Sequence, residues 1–124
     1  MVAVDTSTLI AFLSDEAGND VRSLDDALSH LCVLLPPVVL CEILSDPKLS
    51  DSITKIFLQI PLLALKSGYW ERAGKNRSRL LAKGLKARLA DTLIAQACID
   101  SEIPLLTRDY DFRHFVKHCG LSLV

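Results

Sequence analysis

The chain opens on Met1-Val-Ala-Val-Asp-Thr-Ser-Thr-Leu-Ile10, and no other stretch narrows the choice of fold as much. Val2 to Val4 is a short β-branched run with no polar face, the pattern of a strand buried on both sides in a parallel sheet. Asp5, Thr6 and Ser7 then supply helix-capping side chains, and Leu9, Ile10 and Leu13 follow at helical spacing. A buried strand that runs straight into a helix leaves Asp5 at the strand's carboxyl end, where open α/β sheets form their ligand crevices. Taken alone, Asp5 is equally an N-cap or a site carboxylate.

The alternation continues along the chain. Residues 15–20 are polar with a glycine and read as a loop; Val21, Leu24, Leu28 and Leu31 then recur at three and four, an amphipathic helix. Val33 to Leu35 is a second strand, stopped by Pro36-Pro37, and Pro37 suits the first turn of a helix over Val38 to Ser45. A helix over Ser50 to Leu58 ends before Pro61, and Leu62 to Leu65 is a third strand candidate. Ser67 to Arg88 is helical with Gly84 as an interruption, and Ala90 to Ser101 is a further helix. Ile103 to Thr107 reads as a strand, followed by a turn at Arg108 to Asp111, a short helix with Phe112, Phe115 and Val116, and a last strand over Leu121 to Val124. Strands and helices in this order predict an α/β domain spanning residues 1–124, its parallel sheet covered by helices on both faces.

Half of the residues are hydrophobic, which excludes a disordered chain. The longest apolar run, Leu31 to Cys41, is broken by Pro36-Pro37, so no membrane span is expected, and the first residues lack a signal-peptide pattern. Cys32, Cys41, Cys98 and Cys119 form no C-x-x-C pair and read as buried thiols of a reducing cytoplasm rather than a zinc site. A net charge of −1 names no partner, but it hides an asymmetry. Lys66, Arg72, Lys75, Arg77, Arg79, Lys83, Lys86 and Arg88 face a single acid, Glu71, in residues 66–88, more than half of the chain's Lys and Arg.

Several acids occupy places a solvated surface does not explain. Glu42 lies inside Val38-Val-Leu-Cys-Glu-Ile-Leu44, on a helix face with Val38 and Val39; Asp91 shares a face with Ile94, Ala95 and Cys98; Asp109 and Asp111 follow the strand Leu105-Leu-Thr107. Each has a structural alternative: Asp5, Asp91 and Asp111 as helix caps, Glu42 in an ion pair with Lys or Arg. Together, two follow strand ends and two lie near helix starts or on inward faces, places that share one crevice in a doubly wound sheet. Carboxylates gathered there repel one another and call for a hard divalent cation, Mg²⁺ or Mn²⁺.

The ordered set Val4-Asp-Thr-Ser-Thr-Leu9, Val39-Leu-Cys-Glu-Ile-Leu44, Ala90-Asp-Thr-Leu-Ile-Ala95 and Leu106-Thr-Arg-Asp-Tyr-Asp-Phe112 resembles the PIN domain, most of all the VapC-type ribonuclease toxins of prokaryotic toxin–antitoxin pairs. The resemblance covers nearly the whole chain. It implies a three-layer α/β/α sandwich around a parallel sheet of about five strands. It implies a catalytic and metal-binding quartet of Asp5, Glu42, Asp91 and Asp109, with Asp111 as a second acid after the last catalytic strand; which of 109 and 111 stands nearer the metal stays open. Thr6 or Ser7 and Thr107 match the family's small hydroxyl residues, which would support the carboxylates. The resemblance further implies Mg²⁺- or Mn²⁺-dependent hydrolysis of RNA to 5′-phosphate ends, a homodimer and a cognate antitoxin.

The basic segment suits the phosphate backbone of RNA, with Arg72, Lys75, Arg77, Arg79, Lys83, Lys86 and Arg88 as contacts and Tyr69 and Trp70 as stacking surfaces. Its structural alternative is a solvated helix face anchored by the aromatic pair. His30, His114 and His118 lie outside the motifs. Two other functions compete: a non-catalytic PIN-like module that binds RNA or protein, and a receiver-type phosphoacceptor domain. The second lacks an acceptor, since Asp46 and Asp51 fall in a loop–helix region and Lys117 follows a helix.

Overall fold

Ala3 and Val4 have no solvent exposure. Consecutive strand residues face opposite sides of a sheet, so both faces are covered at this point. The computed structural model describes residues 1–124. In it strand β1 (Val2–Val4) pairs in parallel with β2 (Val33–Leu34) on one side and β3 (Leu105–Leu106) on the other, giving the order β2-β1-β3. Ala3 lies opposite both Leu34 and Leu105. Parallel neighbours need crossovers. Helices α1 (Thr6–Leu13) and α2 (Asn19–Ser29) connect β1 to β2. Helices α3 (Pro37–Leu44), α4 (Asp51–Leu58), α5 (Tyr69–Ala82) and α6 (Leu89–Ser101) connect β2 to β3. A 3₁₀ turn at Tyr110–Phe112 and helix α7 (Arg113–Cys119) close the chain. No helix is long and apolar enough to cross a membrane.

The expected sheet of about five strands is reduced to three. Leu35 meets Leu62, and Leu105 meets Leu123, through single parallel bridges. The first bridge carries Leu35 N–H to Pro61 O and Leu63 N–H to Leu35 O, both 2.9 Å. Pro61 has no N–H to extend the ladder, and of Leu62 to Leu65 only Leu63 is buried. At the other edge Ser122, Leu123 and Val124 are exposed and only Leu121 is buried. Neither run has an inward face long enough to hold a strand.

Other boundaries shift for local reasons. Helix α2 begins at Asn19, inside the expected loop, and ends at Ser29; Leu31 lies beyond it with φ +54° and is 88% exposed rather than part of the apolar stripe. Helix α5 stops at Ala82, and Gly84 (φ +72°) makes the expected interruption while Leu85 N–H returns to Leu80 O at 3.0 Å. Helices α5 and α6 form an antiparallel hairpin, shown by Arg72 bound to Asp100 and Asn76 to Gln96. The 83–88 loop therefore sits where α6 begins, beside Asp91. One apolar core runs from Ala3 to Leu121 and includes Leu24, Leu80, Ile94, Phe112 and Phe115. Cys98 belongs to it, and burial pushes its thiol up to about 12, which leaves it unreactive. Cys41, expected to be buried, is exposed.

Candidate metal centre

Asp5 ends β1 and begins α1, and its side chain caps that helix with one of its two oxygens. Its backbone N–H bonds Leu106 O at 2.8 Å, fixing it beside β3, and the residue is only 4% exposed. Oδ2 caps α1 by accepting from Ser7 N–H at 3.4 Å, and it also accepts from Ser7 Oγ at 2.7 Å and Thr107 Oγ1 at 2.9 Å. Oδ1 accepts nothing. No buried polar side-chain atom of the protein lacks a partner, so Oδ1 is open to solvent. One oxygen is anchored and the other is free.

The anchors extend to the next acids. Thr107 Oγ1 accepts Asp109 N–H at 3.0 Å, and Asp109 Oδ1 accepts Asp111 N–H at 2.9 Å, which starts the 3₁₀ turn. This chain of bonds sets the direction of both aspartates after β3. Across the crevice stands Asp91, in the first turn of α6. Carboxyl oxygens of Asp91, Asp109 and Asp111 lie within 4.8 Å of one another.

Asp91 receives no hydrogen bond from any protein group and does not cap its helix. Burial, then the charges of Asp109 and Asp5, raise its pKa to about 6; Glu42 adds to the rise, and Arg88 partly offsets it. A raised carboxyl pKa means the charged form is poorly compensated in the protein alone. Asp111 is the opposite case: the Lys86 ammonium, 2.9 Å from its Oδ2, holds its pKa down.

Glu42 does not lie on the inward face expected of it. Val39 and Ile43 are buried and Glu42 is exposed, its Oε1 held by the Thr6 hydroxyl at 2.7 Å. Its charge is felt at Asp91, but neither it nor Asp5 belongs to the three acids whose oxygens gather within 4.8 Å. The hydroxyl pair thus divides its work: Thr6 holds Glu42, and Ser7 holds Asp5.

The basic residues separate into two groups. Arg72 is bound through Nε and Nη2 to Asp100 at 2.9 and 2.7 Å, nine residues after Asp91 on α6, a distance of about 13 Å along the helix. Arg79 Nη2 bonds Asn76 Oδ1 and His118 O, and Arg77 Nε bonds Ala87 O at 2.8 Å. Lys75, Lys83 and Arg88 are exposed and make no ion pair, and the last two stand with Lys86 on the loop that leads to Asp91. Tyr69 cannot offer a stacking surface: it is 2% exposed and its hydroxyl donates to Leu93 O at 2.6 Å. Trp70 beside it is exposed.

One ion pair at the edge of the site joins a motif residue, Arg108, to an acid outside every motif, Asp20. Asp20 Oδ1 and Oδ2 accept from Arg108 Nη2 and Nε at 2.9 and 2.8 Å, and Oδ2 also takes the hydroxyl of Thr8, which has no exposure. The guanidinium first, and then the hydroxyl, hold Asp20 down to about 2. Arg108 also bonds Ala17 O, and its backbone N–H bonds Ser7 Oγ. It ties the turn that carries Asp109 to the start of α2. The only sequence signal was an arginine standing between Thr107 and Asp109.

The family model for the PIN domain matches residues 2–117. No curated protein sequence matches the chain. Among solved structures it is similar to FitAcB from Neisseria gonorrhoeae, at 20% identity and a TM-score of 0.73, covering 99% of this chain and 96% of that one. It is similar to VapBC2 from Rickettsia felis, solved bound to a DNA fragment from their promoter, at 21% identity and a TM-score of 0.74, covering 100% and 98%. It is also similar to VapBC-5 from Mycobacterium tuberculosis, a member of the VapBC family of toxin–antitoxin systems, at 18% identity and a TM-score of 0.66, covering 99% and 96%. At these identities the likeness is one of fold.

Proposed function

The chain belongs to the PIN domain family, and from that membership we propose that it is a divalent-metal-dependent endoribonuclease, the toxin of a toxin–antitoxin pair. The observation that carries the reading is Asp91. Its pKa near 6 reflects burial and neighbouring carboxylates that Arg88 offsets only in part. PIN nucleases generally use divalent metals, and the residues here fit one: Asp5, Glu42, Asp91 and Asp109 offer carboxylate oxygens, Ser7 and Thr107 offer hydroxyls, and no His or Cys intrudes. An all-oxygen, anionic set suits Mg²⁺ or Mn²⁺.

Asp5 through its open Oδ1, Asp91 and Asp109 would hold the ion, with Glu42 reaching in from the rim. When bound, it would lower the pKa of a water and offset the charge of the phosphate under attack. Ser7 and Thr107 keep Asp5 from rotating, and Thr107 aims Asp109. Thr6 restrains Glu42. Lys83, Lys86 and Arg88 would draw the RNA backbone to the Asp91 end of the crevice, and Lys75 would extend that path. Arg72 and Arg77 serve the hairpin first, and Arg79 ties α5 to the end of α7. The product expected is a 5′-phosphate end.

Two partners follow from the same reading. VapBC complexes among the similar structures support a cognate antitoxin. An apolar groove lined by Phe12, Leu28, Leu31, Ile56 and Pro61 would be one surface for such a partner. A homodimer, a cytoplasmic location and a single domain over residues 1–124 complete the proposal. The test is incubation of defined single-stranded RNAs with Mg²⁺, Mn²⁺ or EDTA, with Asp5→Asn as control. Cleavage that needs the metal and is lost in the variant is expected. RNA retention without cleavage in any metal would favour a non-catalytic binding module.

A further inference from the structure

Within the basic segment, one side chain reaches the carboxylate cluster itself. Lys86 Nζ lies 2.9 Å from Asp111 Oδ2. Its position is built rather than incidental. The loop that carries it turns at Gly84 with φ +72°, Leu85 N–H returns to Leu80 O, and the following residue, Ala87, is buried with its carbonyl held by Arg77 Nε at 2.8 Å. The backbone is thus fixed on both sides of Lys86, while its side chain stays 49% exposed. Asp111 has a second cation, Arg113 Nη1, at 3.8 Å. Asp5, Glu42, Asp91 and Asp109 have none within ion-pair distance.

The acids of the crevice therefore fall into two classes, four without a counter-charge and one with it. We propose that Lys86 is a fixed cation of this site: it takes the place a second divalent ion would fill beside Asp111, so that the cluster binds one ion, and it presents its remaining N–H donors to an RNA phosphate. The inference rests on the metal-nuclease reading above. An ion ligated by Asp111 Oδ2 at about 2 Å would lie within a few ångströms of the ammonium, and two unscreened positive charges at that separation repel strongly. Three donors on one nitrogen let Lys86 keep Asp111 and still reach phosphate oxygens. Asp109, free of such a cation, is then the ligand of the pair, and Asp111 is the residue that positions Lys86.

The test counts Mn²⁺ bound per chain by electron paramagnetic resonance of free ion, with no RNA present. Wild type and Lys86→Arg are expected to bind one. Lys86→Met is expected to bind two, and Lys86→Met combined with Asp111→Asn to return to one. Two ions on the wild type, or one ion on Lys86→Met with a Kd within about twofold of wild type, would overturn the proposal and leave the nuclease reading intact. No Mn²⁺ on any of the four proteins would overturn both.

Discussion

Asp20 and Asp91 occupy matching places and meet opposite fates. Each stands in the first turn of a helix, α2 and α6, close to the carboxyl end of the sheet. Asp20 receives a two-pronged guanidinium from Arg108 and the buried hydroxyl of Thr8, and its carboxyl is held down to about 2. Asp91 receives nothing and is pushed up to about 6 by burial and by Asp109 and Asp5. This fold can satisfy a partly buried acid when the acid serves the structure. Where it leaves one unsatisfied among other acids, the proposed function assigns the missing cation to a bound metal.

The contrast can be broken at either residue. Asp91→Asn should lower RNA cleavage by at least about a hundredfold, because the charge stabilisation an ion supplies amounts to several kcal/mol. In metal-free buffer at neutral pH the same variant should melt no lower than wild type, since it removes a charge the protein does not compensate. A fall in melting temperature would make Asp91 a structural acid like Asp20. Mg²⁺ at a hundred times its Kd should stabilise wild type by about 2.7 kcal/mol in urea denaturation, and Asp91→Asn by much less. Asp20→Ala should show the reverse profile. It leaves the Thr8 hydroxyl buried without an acceptor, at a cost of about 1–3 kcal/mol, while the gain from Mg²⁺ persists.

A smaller effect separates the two acids by pH. Asp91 binds its proton more tightly folded, at about 6, than in an unfolded chain at about 3.9. Its contribution to stability therefore falls as pH rises from about 4 to about 6, and stays lost above. Asp20 binds its proton less tightly folded, so its contribution is present above about 4 and is lost as pH falls toward about 2. Denaturation curves from about pH 2 to about pH 7 for wild type, Asp91→Asn and Asp20→Asn resolve the two windows, and a single shared window would contradict the assignment.

These two residues also mark how far the sequence could be read. β1 and its terminal acid were legible because a β-branched run followed by capping residues is a local pattern. Asp91 stood out as an acid on an apolar helix face. The pairing of Asp20 with Arg108 joins residues 88 apart and leaves no periodic trace, so Asp20 read as loop. Glu42 was assigned inward because α3 is apolar on nearly every side, and one acid in such a helix does not reveal which face is covered. Tyr69 and Trp70 are neighbours in sequence, but on a helix they point about 100° apart; one went into the core and the other stayed outside. The runs after Pro61 and Gly120 had strand composition without the length to pair beyond one bridge.

Carboxyl NMR titration of the metal-free protein, repeated with Mg²⁺, is the most direct test that Asp91 awaits a cation and Asp20 does not. Asp91 should titrate near 6 and drop by more than about one unit when Mg²⁺ is added, while Asp20 stays near 2 in both. An Asp91 that titrates like an ordinary carboxylate and ignores Mg²⁺ would contradict the account.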